Sequence, residues 1–450
     1  MANYTYAKFT DVVDAVARRL YNPDKTQWVQ AELEELLCES LRTWNALSQF
    51  WREEFTFTLA ANTWWYDLRA VANTLIPYTV TEYDIITKIK RHLLEPPDPA
   101  YSNVYDQLGS TQYTMADLLG ACQRRQDETL GLTACTIVRS LVNAPMGGRC
   151  ILPDTTIDIR RVTWLPVAGY SNRILKQSDA FASRAFNPRY TQAGQQPPLK
   201  WMQNTEPPPS FDVDSQPPVN GQYEVLLTQA GPSWIKGVDA TLTMPDDWSW
   251  VFTWGALSDL FSRESLAQDP LRAAYCRARY QEGIGLMRLL PVAVALKLND
   301  RPMSIGAVTG GDKYNPTWQA KAAGPPKSFY EFMNFLAVAP KPDSDTAYSV
   351  TVTVCKNIPV NEFYVQVPRD ALDTIIDYTQ HLAMLKQGGQ EFYQSVVLYQ
   401  NLQRNAALYN GKLREMGFFE MPQLEFSVLE EKNRNPRFIS GSAPQPMADE

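Results

Sequence analysis

Histidine is scarce in this chain, because its 450 residues include only two, His92 and His381. Histidine is the commonest metal ligand and general base in proteins, so this scarcity speaks against most metal sites and most acid–base catalytic sites. The six cysteines include no Cys-x-x-Cys pair, and we expect them to be buried thiols in a reducing compartment. The sequence therefore predicts no metal and no cofactor.

An excess of basic residues is also lacking. Lysine and arginine number 42 against 49 aspartates and glutamates, which gives a net charge of -7. A dedicated nucleic-acid-binding protein carries a basic surface, whereas a channel through which DNA passes without being tightly bound is compatible with an acidic chain. No stretch approaches the roughly 18 uninterrupted apolar residues of a membrane span. We expect a protein made in the cytoplasm that makes at most transient contact with DNA and none with a membrane.

Aromatic residues, by contrast, are abundant, with 12 tryptophans and 22 tyrosines. Large aromatic side chains dominate the energetics of packed cores and of protein interfaces, and tryptophan faces also stack on sugars. We take Trp64, Trp65, Trp248 and Trp250 as candidate interface residues. The same tryptophans leave open a carbohydrate-binding or carbohydrate-active protein, which would show a glycan-dependent change in tryptophan fluorescence.

One block of signals occurs twice in the same order: Pro-Pro before an aromatic residue, a strand, Pro-x-Asp and a pair of helices. The first copy runs from Pro197 through 223–227 and 245–247 to Gln281, and the second from Pro325 through 348–352 and 368–370 to Gln400. A repeated unit without a catalytic signature indicates a building part rather than an enzyme.

Local periodicity predicts the elements around these copies. Apolar residues with helical spacing predict two helices within residues 10–50, and alternation over 55–68 predicts a β-hairpin with an aromatic face. Residues 155–165 read as a strand whose alternation slips at Arg160-Arg161, which indicates a bulge. Residues 186–218 are rich in proline and contain Pro207-Pro208-Pro209, which we take as an extended, interface-forming arm that can be deleted without loss of the fold.

These patterns predict an α+β protein in which helical hairpins or bundles combine with small antiparallel β modules. The expected organisation is an N-terminal helical region with the hairpin (1–145), a first β plus helical-hairpin unit that includes the arm (146–295), a second such unit (296–438) and a flexible tail (439–450).

Three catalytic patterns lack the residues or the geometry that their chemistry requires. The glycine-rich stretch 306–313 has Asp312 where a phosphate loop needs lysine, and an acid there would repel phosphate. Asp246 and Asp247 are adjacent at a helix start, where acids favour the helix dipole, so they are not a facing carboxylate pair. No Gly-x-Ser-x-Gly motif of a serine nucleophile occurs.

Lys88, Lys90 and Arg91 form a small basic cluster. These side chains would make transient contacts with DNA if the cluster faced a channel.

Several segments resemble the head-to-tail connector (neck adaptor) proteins of tailed bacteriophages. They are 9–13, Trp28 before an acidic helix, 41–45, the aromatic run 55–57, 157–162, a Pro-rich loop, a Tyr-x-Val strand and a Pro-x-Asp helix start. The similarity covers about residues 5 to 290, and the second repeat would be an elaboration.

The resemblance implies a structural virion protein without catalytic residues. Such a protein is assembled in the host cytoplasm, forms a homo-oligomeric ring, expected to be a dodecamer, and binds beneath the portal protein. The ring would extend the DNA channel and offer a platform for a tail tube or nozzle protein. A baseplate or tail-fibre-attachment protein is the alternative within the same class, and the carbohydrate-binding protein is the alternative outside it.

Overall fold

The chain folds as an α+β protein in which two helix bundles combine with two β-sandwiches. The computed structural model describes residues 6–72, 79–94, 113–133, 135–143, 149–167, 169–181, 185, 195–204, 207–235, 237–264, 268–288, 292–315, 317–357 and 363–410. The predicted tail, 439–450, lies outside these residues.

One unit, here called the split unit, is built from the two ends of the described chain. Its helices are α1 (Phe9–Arg19), α2 (Gln30–Ser48), α3 (Leu68–Val71), α8 (Val308–Tyr314), α9 (Arg369–Met384), α10 (Gly389–Gln394) and α11 (Val396–Tyr409). Its strands are β1 (Ala7–Lys8), β2 (Arg52–Thr58), β3 (Trp65–Asp67), β12 (Val292–Leu298), β13 (Arg301–Met303), β14 (Ile305–Ala307), β15 (Ser328–Phe332), β16 (Phe335–Ala339), β17 (Ser349–Cys355) and β18 (Tyr364–Val365).

The second unit, here called the inserted unit, lies in the sequence between the two parts of the first. Its helices are α4 (Glu82–His92), α5 (Met115–Thr133), α6 (Ser249–Ser262) and α7 (Pro270–Met287). Its strands are β4 (Ile137–Asn143), β5 (Arg149–Ile151), β6 (Thr156–Pro166), β7 (Arg173–Ile174), β8 (Lys176–Gln177), β9 (Lys200–Asn204), β10 (Ser210–Val213) and β11 (Gly221–Gln229).

The two sandwiches have the same strand order. Sheet I is β2-β17-β12-β13 in the split unit and β4-β11-β6-β7 in the inserted unit, and sheet II is β3-β16-β15-β14 and β5-β10-β9-β8. Even the single parallel pair of each sandwich matches, because β14 runs parallel to β15 as β8 does to β9. The expected duplication is thus present, and each copy also includes the helices and strands that precede the block repeated in the sequence.

Each sandwich encloses its own apolar core. In the inserted unit Trp164 and Val225 of sheet I face Trp201 and Phe211 of sheet II. In the split unit alternate residues of β17, such as Val352, face sheet II in the same way. Since side chains alternate across a strand, the other face of every sheet remains available for contacts with the bundle, the second sandwich or solvent.

The bulge expected in β6 is confirmed. Leu226 of β11 pairs with Arg161 and the next residue pairs with Ile159, so Arg160 has no cross-strand partner. The extra residue restores the apolar alternation on either side of it, which is why the slip was visible in the sequence.

The helices of the two units share one continuous apolar core. Helices α1, α2, α9 and α11 pack together in the split unit, and α4, α5, α6 and α7 pack in the same arrangement in the inserted unit. Helix α6 is apolar on nearly every face and is buried along almost its whole length. Its close approach to α7 requires glycine, since a Cβ on Gly255 would lie 2.8 Å from the Tyr280 ring.

Two sequence predictions about β structure are wrong. The expected hairpin over 55–68 does not form, because β2 pairs with β17 and β3 pairs with β16, in two different sheets. The expected arm at 186–218 contains β9 and β10, whose side chains fill the inserted sandwich, so deleting it would remove core strands. In the first case partners distant in sequence replace the local hairpin. In the second, β9 and β10 form a hairpin with each other, and β10 also pairs with β5, a contact that the local pattern does not contain.

The two sandwiches meet along a buried seam. Outward-facing residues of the inserted sheet I, including Ile137 and Leu226, pack against Trp65 and Phe335 of the split sheet II and against Trp318. Buried polar contacts lie within this apolar seam, where the Trp65 indole donates to Glu224 (3.0 Å). The seam therefore joins sheet I of one unit to sheet II of the other.

We expect Trp318→Ala to lower the free energy of unfolding by about 3–5 kcal/mol, because it removes a fully buried indole from the seam and leaves a cavity. Chemical denaturation monitored by circular dichroism measures the change. The matched control is Tyr314→Ala in α8, where the side chain is 80% exposed and the expected change is within about 0.5 kcal/mol. Equal effects of the two variants would contradict a packed seam.

Candidate functional site

The tryptophans proposed as interface residues are inside the chain. Trp64 and Trp65 are 5% exposed and belong to the seam, and Trp248 and Trp250 are 4% and 6% exposed and belong to the shared helical core. Eleven of the 12 tryptophans of the chain are buried. Their faces are therefore used for packing within and between the two units rather than presented to sugars or to another molecule.

The three consecutive prolines occupy the turn between β9 and β10, with a cis peptide bond between Pro207 and Pro208. Pro207 and Pro208 are exposed and Pro209 is half-buried. They are surface residues in the turn of a hairpin of the inserted sandwich.

The basic cluster of α4 is used within the chain. Lys88 and Arg91 both face Glu35 of α2, at 4.0 Å and 3.6 Å, and Lys90 is buried. These cations join the inserted unit to the split unit. The two charged side chains that remain partly accessible are already paired, so the cluster does not form a bare basic patch.

The glycine-rich stretch 306–313 forms β14 and α8. Asp312, the residue that argued against a phosphate loop, accepts from the Trp318 indole (2.8 Å) and from the Arg161 guanidinium (3.1 Å). The segment is thus part of the seam. Asp246 accepts from the backbone N–H groups of Thr79 and Val80, both at 3.0 Å, and Asp247 pairs with Arg42 (2.9 Å).

A buried charged network lies where the two helix bundles meet. Arg279 of α7, which is 1% exposed, donates to Glu39 of α2 (2.9 Å) and to Thr43 (2.7 Å), and it also pairs with Glu282 (2.5 Å). The Trp254 indole donates to the same Glu39 oxygen (2.9 Å). Every charge in this group has a partner, as a buried ion pair requires.

Aromatic rings enclose this network. The Arg279 guanidinium lies 4.3 Å from the Trp250 ring centroid and 5.4 Å from that of Tyr378 in α9, while the Tyr399 hydroxyl donates to Glu282. Burial raises the pKa of Glu39, and the neighbouring Arg279 opposes that shift. The arrangement holds helices of both units in one register and presents no reactive group to solvent.

His381 belongs to a second buried network. Its Nε2 lies 2.9 Å from the Tyr275 hydroxyl and its Nδ1 lies 2.7 Å from the Ser395 hydroxyl, which donates to the Phe392 carbonyl. Burial, together with the charge of Arg279, lowers the pKa of His381 to about 3. The ring is neutral at physiological pH and links α9 to α7 and α10.

A cleft of about 410 Å³ runs along the junction of α2, α4 and the start of α6. His92 lies against it, and burial together with nearby cations such as Lys386 and Arg91 lowers the pKa of His92 to about 4. The carboxylates lining this cleft are those of Glu34, Glu35, Glu39 and Asp246, and each is engaged by a donor from the chain. Glu35 and Glu39 join the two bundles, whereas Glu34 and Asp246 accept from residues of their own units. The four are not a facing acid–base pair.

The sequence did not single out Glu39 or Arg279, although both are central to the fold. The available signal was a charged residue inside an otherwise apolar helical stripe: Glu39 lies among the leucines of α2, and Arg279 precedes Tyr280 in α7. Sequence alone does not show that the two positions face each other across 240 residues.

The described part of the chain shows neither a metal cluster nor a membrane span. Histidine, cysteine, aspartate and glutamate side chains do not gather there into a group of three or more able to hold an ion. None of the described helices combines the length and the apolarity that crossing a bilayer requires. The six cysteines are free thiols, and five of them are buried.

Comparison with models of known protein families gives no match, and comparison with curated protein sequences gives no significant relative.

We expect Arg279→Met to destabilise the protein by about 3–5 kcal/mol, because it leaves the buried Glu39 and the half-buried Glu282 without their cation. The double variant Arg279→Met with Glu39→Gln should recover part of this loss, since it removes one of the stranded charges. Denaturation of wild type, both single variants and the double variant gives the coupling free energy. Strict additivity of the two changes would contradict a coupled pair.

His381 should make stability depend on pH. Its pKa is lower in the folded chain (about 3) than the ordinary value of 6.5, so the unfolded chain binds a proton that the folded chain does not. Above pH 6.5 the His381 ring is neutral in both the folded and the unfolded chain, so it does not change the free energy of unfolding. As the pH falls from 6.5 towards 3, only the unfolded chain binds the proton, and stability is lost. His381→Gln should reduce the slope of unfolding free energy between pH 4 and 6 by about one proton, ~1.4 kcal/mol per pH unit. Identical slopes for the two proteins would contradict the buried neutral ring.

Proposed function

We propose that this protein is a structural, ring-forming head-to-tail adaptor of a tailed-bacteriophage virion. In this role it binds beneath a portal protein, extends the DNA channel and offers a platform to a tail tube or nozzle protein. The resemblance of its N-terminal motifs to neck adaptors motivates the proposal, and the arrangement of the two units supports it.

One observation carries the proposal: two copies of the same unit are joined through non-equivalent faces. Sheet I of the inserted unit packs on sheet II of the split unit. Contacts between different faces of similar units are heterologous, and heterologous contacts propagate around a closed ring when the rotation allows closure. A face-to-self contact would instead have closed the assembly at two units.

The use of the polar and aromatic side chains fits a building part. Other parts of the same chain contact the buried ion pairs, the neutral histidine and nearly all tryptophans. These contacts fix the two bundles and the two sandwiches relative to each other. A rigid chain is what a load-transmitting ring subunit requires. The carbohydrate alternative has less support, because the indole faces that motivated it are buried.

Native mass tests the proposal. We expect light scattering and negative-stain images of the purified chain to show either a ring of about ten or more 51.0-kDa subunits, or a single chain that forms a ring when a portal protein from the same virus is added. Twelve chains per ring is the number that the family resemblance implies.

A stable monomer or small oligomer that does not bind the portal protein would contradict the proposed adaptor function. Adding soluble glycans to the same samples provides the comparison with the alternative function. A glycan-dependent change in tryptophan fluorescence, without any ring, would favour a carbohydrate-binding protein.

A further inference from the structure

A cleft of about 420 Å³ lies between α5 and α7 of the inserted unit. Three arginines line it: Arg125 from α5, Arg277 from α7 and Arg288, which directly follows α7. The carboxylate of Glu128 is the acid that lines the same cleft. The lining therefore carries an excess of positive charge, in a chain whose net charge is -7.

Helix α7 uses its two faces differently. Arg279 and Glu282 lie on the face that meets the split unit, where their charges are paired. Arg277, Gln281 and Arg288 share another face, because positions four and seven residues apart lie on one side of a helix. All three are exposed. This second face is therefore free of the contacts that join the two units.

Arg277 and Arg288 keep donors that the described part of the chain does not use. Neither guanidinium pairs there with a carboxylate, and Arg277 makes no hydrogen bond to the described residues. Arg288 donates from Nε to the Leu132 carbonyl at the end of α5 (2.9 Å), which holds its side chain at the cleft. Since a guanidinium carries five N–H donors, most of those on both side chains remain available to a ligand.

The acid of the cleft is already engaged. The Glu128 carboxylate pairs with Arg125 (2.5 Å) and accepts from the Tyr280 hydroxyl (3.2 Å). Arg125 also pairs with Asp259 of α6 and lies 5.0 Å from the centroid of the Tyr280 ring, which packs against Gly255. These contacts fix one wall of the cleft and neutralise its carboxylate, so the unpaired charges that an incoming ion meets are positive.

The spacing of the two unpaired arginines favours a ligand with several anionic groups in a row. Arg277 and Arg288 are 11 residues apart, which is about 16 Å along a helix that rises 1.5 Å per residue. One strand of DNA advances about 3.4 Å per nucleotide, so this length corresponds to roughly five successive phosphates. Planar guanidiniums bind phosphate oxygens through two parallel hydrogen bonds.

We propose that this cleft binds consecutive phosphate groups, those of a nucleic-acid strand or of a short polyphosphate, through Arg277 and Arg288. Binding is weak and salt-dependent, because two unpaired cations act in an acidic chain. The site goes beyond the adaptor role, since it needs neither a ring nor a portal protein. In an adaptor ring it supplies the DNA contact that the paired cluster at 88–91 does not.

The test measures binding of a short fluorescein-labelled DNA strand by anisotropy at low salt. Arg277→Gln/Arg288→Gln is compared with Arg18→Gln/Arg404→Gln, which removes two exposed arginines of α1 and α11 outside the cleft and changes the net charge equally. We expect the cleft variant to weaken binding about tenfold or more, the size of a lost charge-assisted contact, and the control to change it less than about threefold. Thermal midpoints followed by circular dichroism verify that both variants are folded.

Glu128→Gln should change the affinity in the opposite direction. It removes the carboxylate that competes with phosphate for Arg125, so we expect DNA to bind about two to five times more tightly. A loss of folding would not strengthen binding, so this variant separates a site from a damaged structure.

Inorganic triphosphate distinguishes the two sources of phosphate. Displacement of DNA by triphosphate assigns the cleft to short polyphosphates, and DNA that is not displaced assigns it to a nucleic-acid strand. Wild type that binds neither probe, a cleft variant that binds as wild type does, or a glutamate-rich peptide that binds as tightly as DNA would overturn the phosphate site. Ring formation is measured separately by native mass, so each of these results leaves the adaptor proposal untouched.

Discussion

The pairing of Arg279 with Glu39 is the interaction on which the relative position of the two units depends. It buries two opposite charges where α7 of the inserted unit meets α2 of the split unit. A buried charge is tolerated only when its partners are all in place, so the pair penalises other packings of the two bundles more strongly than an apolar contact would. The Trp250 and Tyr378 rings around Arg279 exclude water from the pair and make it sensitive to small displacements of either bundle.

The seam between the sandwiches depends on this register. Sheet I of the inserted unit and sheet II of the split unit are both flanked by helices of their own units, so a shift between the bundles would move Leu226 away from Phe335. Trp318 and Asp312 tie α8 into the same seam. Ion pairs in the bundle and aromatic packing in the seam thus hold the two units at two separate places, which resists rotation of one unit against the other.

Patterns within a single element were readable from the sequence, and pairings between distant elements were not. The α+β class and the bulge at Arg160 follow from local alternation and helical spacing. The hairpin expected at 55–68 failed because β2 and β3 are adjacent in sequence but pair with β17 and β16. The prediction that four tryptophans form an interface with another molecule is wrong for a related reason. A high aromatic content indicates extensive packing contacts, but it does not show whether they lie between chains or within one.

The placement of one unit inside the other has a consequence for synthesis on the ribosome. Thr56 of β2 precedes its partner Thr351 by 295 residues. At typical elongation rates of roughly 5–20 residues per second, β2 emerges about 15–60 s before β17 exists. The inserted unit is complete in sequence during that delay, whereas the first third of the split unit has neither its sheet nor half of its bundle. The nascent chain therefore carries an unpaired strand and an open apolar helix face until β17 has emerged, which makes residues 6–72 a part of the chain in particular need of a chaperone.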